Sequence, residues 1–174
     1  MPHVTNGGDM TNNQIAAKVS DLFLAGPDVT ADTLSYVFWM LSRPEYSAIR
    51  GKSRRGVQGL KYVDDIPFLV ETDKLPFLDA VLKETLRMYP INAGSQPRVS
   101  PPRKSTIMYG LEIPPGTVCE MQALSVNRDP EVFESPDEFN PERWMIPRES
   151  SKFKELNRQL WSFSSGQRMC IGQQ

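Results

Sequence analysis

The sequence predicts a mainly α protein with a small β meander, on three observations. Apolar residues recur at helical spacing between Thr11 and about Tyr89, ten of the 15 prolines lie between Pro90 and Pro147, and short β-branched runs sit among those prolines. Helices are therefore expected first, then a stretch of strands and turns.

Residues 1–10, rich in glycine and asparagine, are expected to form a disordered leader. Thr11 and Gln14 have the spacing of a capping box, and Leu34, Val37, Phe38 and Leu41 continue a helical stripe, so one long central helix is expected over 11–43. Pro27 falls in its middle, which predicts a bend and an irregular turn at Gly26 to Asp28. A short helix after Pro44 is expected to end near Ile49, with "GKSRRG" (51–56) as a solvated loop. A second strong helix is expected over 74–89, begun by Pro76, stopped by Pro90, and apolar along Leu78, Val81, Leu82, Leu86 and Tyr89. "STIMYGLEIPPGTVCEMQ" (105–122) predicts small strands with tight turns at Tyr109-Gly110 and Pro115-Gly116.

A length of 174 residues suits one domain, and 39% hydrophobic with 24% charged residues is a globular balance. A net charge of −1 without blocks of like charge gives no footprint for nucleic acid. No apolar run reaches the roughly 18–20 residues of a membrane span, and "MPHVTNGGDM" lacks the core of a signal peptide, so the chain as written carries no anchor or signal. Two cysteines, Cys119 and Cys170, are too few for a disulfide framework, and the one histidine, His3, lies in the leader. Metal chemistry must then rest on cysteine, methionine or carboxylate.

Three constellations carry chemistry. Glu84 and Arg87, three apart on the second helix, project from one face, and Arg143 of "FNPERW" completes a Glu-Arg-Arg cluster if the two segments pack together. Phe163, Gly166, Arg168, Cys170 and Gly172 form F-x-x-G-x-R-x-C-x-G. A cysteine thiolate is a soft ligand able to hold haem iron and to push electron density towards it. Glycines at 166 and 172 let backbone N–H groups approach the sulfur, Arg168 suits a haem propionate, and Phe163 suits the proximal cover.

In these residues the sequence resembles the cytochrome P-450 monooxygenases, most closely fungal microsomal members, from about Thr11 to Gln174. "KETLR" resembles the family's E-x-x-R helix, "FNPERW" its P-E-R-F segment with Trp144 in place of phenylalanine, "NRDPEVF" a stretch that often reads H-R-D-P with Asn127 substituting, and "FSSGQRMCIG" its cysteine-ligand loop. "AGPDVT" (25–30) resembles the oxygen groove, with Val29 where a hydroxyl is usual. The resemblance implies a partial P-450 fold: one incomplete domain over 1–174, with 90–174 forming the β meander and haem-ligand loop. It implies haem b with Cys170 as axial ligand and metal site, Arg168 and Arg98 on propionates, Glu84, Arg87 and Arg143 as scaffold, and Asp28, with Thr30 next in line, in oxygen activation.

For the intact family enzyme the resemblance further implies electrons from NADPH through a reductase, dioxygen, a small apolar substrate, and a place on the cytosolic face of the endoplasmic reticulum membrane. Only the later part of such an enzyme is represented, and this polypeptide is expected to bind haem poorly by itself. A truncated, non-catalytic product and an interaction domain with an incidental motif are the rival readings.

Overall fold

The computed structural model describes residues 10–58, 60, 62, 63, 66, 67, 72 and 74–173. His3 and the expected leader up to residue 9 lie outside the described residues; Met10 is exposed coil.

Helix α1 spans Asn12–Ser42, 31 residues, and opens on the full capping box: the Thr11 hydroxyl accepts from Gln14 N–H while the Gln14 side chain accepts from Thr11 N–H. It runs unbroken through Pro27, so the irregular turn expected at Gly26 to Asp28 is not there. Proline removes only the bond to the Phe23 carbonyl, and residues 11–32 are all exposed, so that carbonyl is not stranded in an apolar core. Beyond Pro27 the Thr30 hydroxyl donates to the Gly26 carbonyl at 2.9 Å and the Thr33 hydroxyl to the Val29 carbonyl at 2.8 Å.

A 3-10 turn at Pro44–Tyr46 leads into α2, Ser47–Val57. The basic stretch expected as a loop is therefore helical. Ile49 packs inward, Arg50 donates to the Leu41 carbonyl, and Arg54 and Arg55 sit in the last turn, where cations suit the helix dipole. Two short strands, β1 (Tyr62–Val63) and β2 (Ile66–Pro67), pair antiparallel before α3, Pro76–Met88.

The meander is a pair of nested antiparallel ladders. β3 (Ser95–Val99) pairs with β6 (Val118–Gln122), and between them β4 (Thr106–Met108) pairs with β5 (Leu111–Ile113). Tyr109 and Gly110, with φ of 50° and 78°, close the inner hairpin with the double positive-φ turn that matches strand twist. A single turn α4 (Ala123–Val126), a 3-10 turn at Pro141–Trp144 and α5 (Ser151–Gln159) follow.

Helix α3 is the axis of the packing. One face meets Val37 and Met40 of α1 together with Phe139, through Phe77, Val81 and Met88. Ala80 turns to a second cluster of Phe133, Trp144 and Leu156. Each fully buried large apolar side chain contributes about 1.5–3 kcal/mol. The buried set of α3 is Phe77, Ala80, Val81, Glu84, Thr85, Arg87 and Met88, so the face expected from Leu78, Leu82 and Leu86 is rotated: these three are half-buried flanks. Two charged residues hold the interior positions that an apolar count assigns elsewhere.

Candidate functional site

The charged residues in that interior form one network. Glu84, Arg87 and Thr85 are all 0% exposed. Glu84 Oε1 accepts from Arg87 Nη2 at 2.9 Å, Arg143 Nε at 3.0 Å and the Asn140 N–H at 2.9 Å, and Oε2 accepts from Arg87 Nε at 3.0 Å and Trp144 Nε1 at 2.9 Å. Arg87 spends its remaining donors on the carbonyls of Asn127, Pro136 and Glu138, and its guanidinium lies 5.2 Å from the Phe133 ring centre. Arg143 reaches the Glu134 carbonyl at 2.8 Å. A buried carboxylate is tolerable only when so surrounded.

Trp144 is the member that the sequence did not announce as a ligand. Its signal was the departure from phenylalanine, because only an indole brings an N–H to that place. Trp144→Phe is expected to fold and to cost about 1–2 kcal/mol, since Arg87 Nε still serves Oε2. Urea unfolding checks this: the midpoint falls at unchanged slope, and a cost near 4 kcal/mol would mean that the indole holds the network together.

The segment from Trp161 to Gln173 is a chain of 3-10 turns at Trp161–Phe163, Gly166–Arg168 and Ile171–Gln173. It folds back on itself: the Cys170 N–H donates to the Phe163 carbonyl at 2.9 Å, and the Met169 N–H to the Gly166 carbonyl at 3.1 Å. Cys170 is an exposed free thiol. Gly166 has φ +67°, a conformation that side chains rarely adopt, and a Cβ on Gly172 would stand 3.8 Å from Cys170 Sγ. Ser164 is a non-glycine residue at φ 61°, the strained kind of backbone that collects at functional sites.

Arg98, on β3, lies opposite Cys119 of β6 and lines a cleft of about 220 Å³ with Trp161, Ser164 and Ser165 of the same segment. Trp161 Nε1 and Ser164 Oγ are buried without a hydrogen-bond partner. Arg98 and Arg168 are exposed and make no ion pair among the described residues. No group of three or more His, Cys, Asp or Glu side chains among the described residues is placed to hold a bare ion. What the segment offers is one thiol, unpaired guanidiniums and two unsatisfied donors.

The α1 stretch Ala25–Thr30 is exposed throughout. The Asp28 side chain makes no hydrogen bond or ion pair among the described residues, and the Thr30 hydroxyl is bonded only within the helix. The structure thus joins Glu84, Arg87 and Arg143 into one cluster, and Arg98 to the segment around Cys170, but sets Asp28 and Thr30 apart on a bare helix surface.

A family model described as Cytochrome P450 matches residues 3–174, and the chain belongs to that family. It is 35% identical over 166 residues to the cytochrome P450 monooxygenase aflV of Aspergillus parasiticus, covering 95% of this chain and 31% of that protein. It is 30% identical over 174 residues to cytochrome P450 76C3 of Arabidopsis thaliana, covering 96% of this chain and 31% of that one. A solved zebra fish cytochrome P450 with progesterone superposes with a TM-score of 0.77 at 26% identity, covering 97% of this chain and 37% of that one. The chain spans about a third of the length of these relatives. Its mainly α architecture with small antiparallel sheets is a partial cytochrome P450 fold.

Proposed function

We propose that the chain is the haem-binding part of a monooxygenase, with Cys170 as the residue whose thiolate would hold the iron. The observation that carries this is the segment's own geometry: an exposed thiol on a residue whose N–H is tied to the Phe163 carbonyl, in a fold-back that turns at Gly166 with φ +67°. The donor set fits a haem. A single protein thiolate would suit a metal whose remaining donors come largely from a macrocycle, and Arg98 and Arg168, which make no ion pair among the described residues, would suit its two propionates.

Haem held by thiolate supplies activation of dioxygen for oxygen transfer to an apolar substrate. The protein's part is to hold and shield. Cys170 would hold the group, Gly166 and Gly172 would let the backbone come close to the sulfur, Phe163 would help to shield it, and Glu84, Arg87 and Arg143 keep α3 and the 3-10 turn at 141–144 in register. Net turnover takes two electrons and two protons to reduce one oxygen atom to water while the other enters the substrate. The electrons come from NADPH through a reductase, with the enzyme at the cytosolic face of the endoplasmic reticulum membrane. No helix among the described residues is long and apolar enough to cross a membrane.

Asp28 supplies protons from α1, with Thr30 next to it. Val29 has no hydroxyl, and the Thr30 hydroxyl donates to the Gly26 carbonyl, leaving its oxygen able to accept. Asp28→Asn is expected to lower product formed per dioxygen consumed by at least about tenfold; an unchanged yield removes Asp28 from the scheme.

For these 174 residues taken alone, one observation favours a weaker reading. Ile15, Val19, Leu22, Phe23 and Leu24 stand 46–75% exposed along α1, so a haem held against it would lack walls. The test is haemin titration of the natural chain that carries these residues, followed by the ferrous carbon-monoxide spectrum. One haem per chain with the red-shifted band of a thiolate ligand is expected, and an imidazole-type band or no saturable binding overturns the proposal.

A further inference from the structure

We infer that Asn127 is a positioning residue for the Cys170 segment: its buried carboxamide fixes the stem from which the cysteine is hung. Its spectroscopic arm rests on the haem-thiolate reading above; its exchange arm does not.

Asn127 is 0% exposed, so every polar atom it carries must find a protein partner. Its Oδ1 accepts the Trp161 N–H at 2.8 Å, and its Nδ2 donates to Ser162 Oγ at 3.1 Å and faces the Leu86 carbonyl at 3.4 Å. Ser162 Oγ in turn donates to the Leu86 carbonyl at 2.7 Å. The Asn127 carbonyl accepts Arg87 Nη1 at 3.0 Å, and its N–H donates to the Ala123 carbonyl at 2.9 Å.

These bonds form one connected path. The Glu84–Arg87 pair holds the Asn127 backbone, the Asn127 side chain holds the first two residues of the Trp161–Phe163 turn, and the Phe163 carbonyl holds the Cys170 N–H. A carboxamide suits the place because it sets an acceptor beside a donor in one plane; aspartate has no donor there and leucine has neither. Asn127 touches neither sulfur nor substrate, so its action is on where Cys170 sits.

The experiment uses the natural chain as isolated, with Asn127→Leu, with Ser162→Ala, and with Ile49→Ala as a control of lowered stability in the other core cluster. Amide hydrogen exchange is read at Cys170, whose partner is Phe163 and not Asn127. Asn127→Leu is expected to speed that exchange at least about tenfold relative to Ile49→Ala at matched melting temperature, with Ser162→Ala in the same direction and smaller. In the haem-loaded protein the thiolate-type band is expected to decay about tenfold faster in Asn127→Leu. Should Asn127→Leu fail to fold, Ser162→Ala decides. Exchange at Cys170 that follows global stability alone in the variants overturns the inference. A parent protein without a thiolate-type band sinks the haem-thiolate reading and leaves the exchange result to judge Asn127.

Discussion

Replacing Glu84 by glutamine is expected to remove about 3–5 kcal/mol of stability, the range for breaking a buried ion pair by taking away one partner. Five donors converge on the two carboxylate oxygens of a residue with no exposed surface. A carboxamide of the same shape turns an NH₂ towards some of them and leaves the two arginines, one of them fully buried, without a counter-charge. A domain of this size holds roughly 5–15 kcal/mol in all, so the loss is a large fraction. Equilibrium urea unfolding measures it, and a cost below about 1 kcal/mol would show that the cluster is not what ties α3 to residues 134–144. The half-buried Lys83–Asp79 pair on the same helix gives the contrast: at 2.6 Å, with side chains 20% and 39% exposed to solvent, it is expected to be worth under about 1 kcal/mol.

On the proposed haem-thiolate reading, Cys170→Ser is expected to have the opposite profile, with little effect on stability and loss of the thiolate signature. The side chain is exposed, so the change in unfolding free energy should stay within about 0.5 kcal/mol. A hydroxyl is a hard, weakly acidic ligand and does not deliver the electron density that a thiolate gives iron. The thiolate-type band of the ferrous carbon-monoxide complex should vanish, and oxygen transfer with it. Cys119→Ser is the control: that thiol is half-buried on β6, opposite Arg98, and the band should survive its removal. A band that persists in Cys170→Ser and disappears in Cys119→Ser would move the ligand to the other cysteine.

How much of this was legible depended on whether a residue's task is local. The capping box of Thr11 and Gln14, the proline that begins α3 and the hairpin turn at Tyr109-Gly110 act within a few residues, and the sequence shows them directly. Glu84 and Arg87 were readable as a pair from their spacing, and Arg143 as a partner on the condition of packing. The inward face of α3 was misread because helical periodicity counts apolar residues, whereas burial there follows the carboxylate and guanidinium. The helix over 51–57 was missed for a related reason: its basic residues suggested solvent, but a half-buried Ile49 and the cap on Leu41 hold it in place. Asn127 stood out only as a substitution in "NRDPEVF"; its side-chain partners lie 34 to 41 residues away, beyond any local pattern.

The Glu84 cluster also constrains how the sequence can drift. Exchange of Glu84 alone leaves two guanidiniums without a counter-charge, and exchange of Arg87 or Arg143 alone strips the buried carboxylate of donors, so these three are coupled and a change at one passes through a destabilised intermediate. Trp144 is the loose corner. It shares Oε2 with Arg87 Nε, so an indole can be gained or given up in one step while the carboxylate stays satisfied. Epistasis should therefore be strong among three of the four side chains and weak at the fourth, which makes position 144 the one place where this buried charge site is free to evolve.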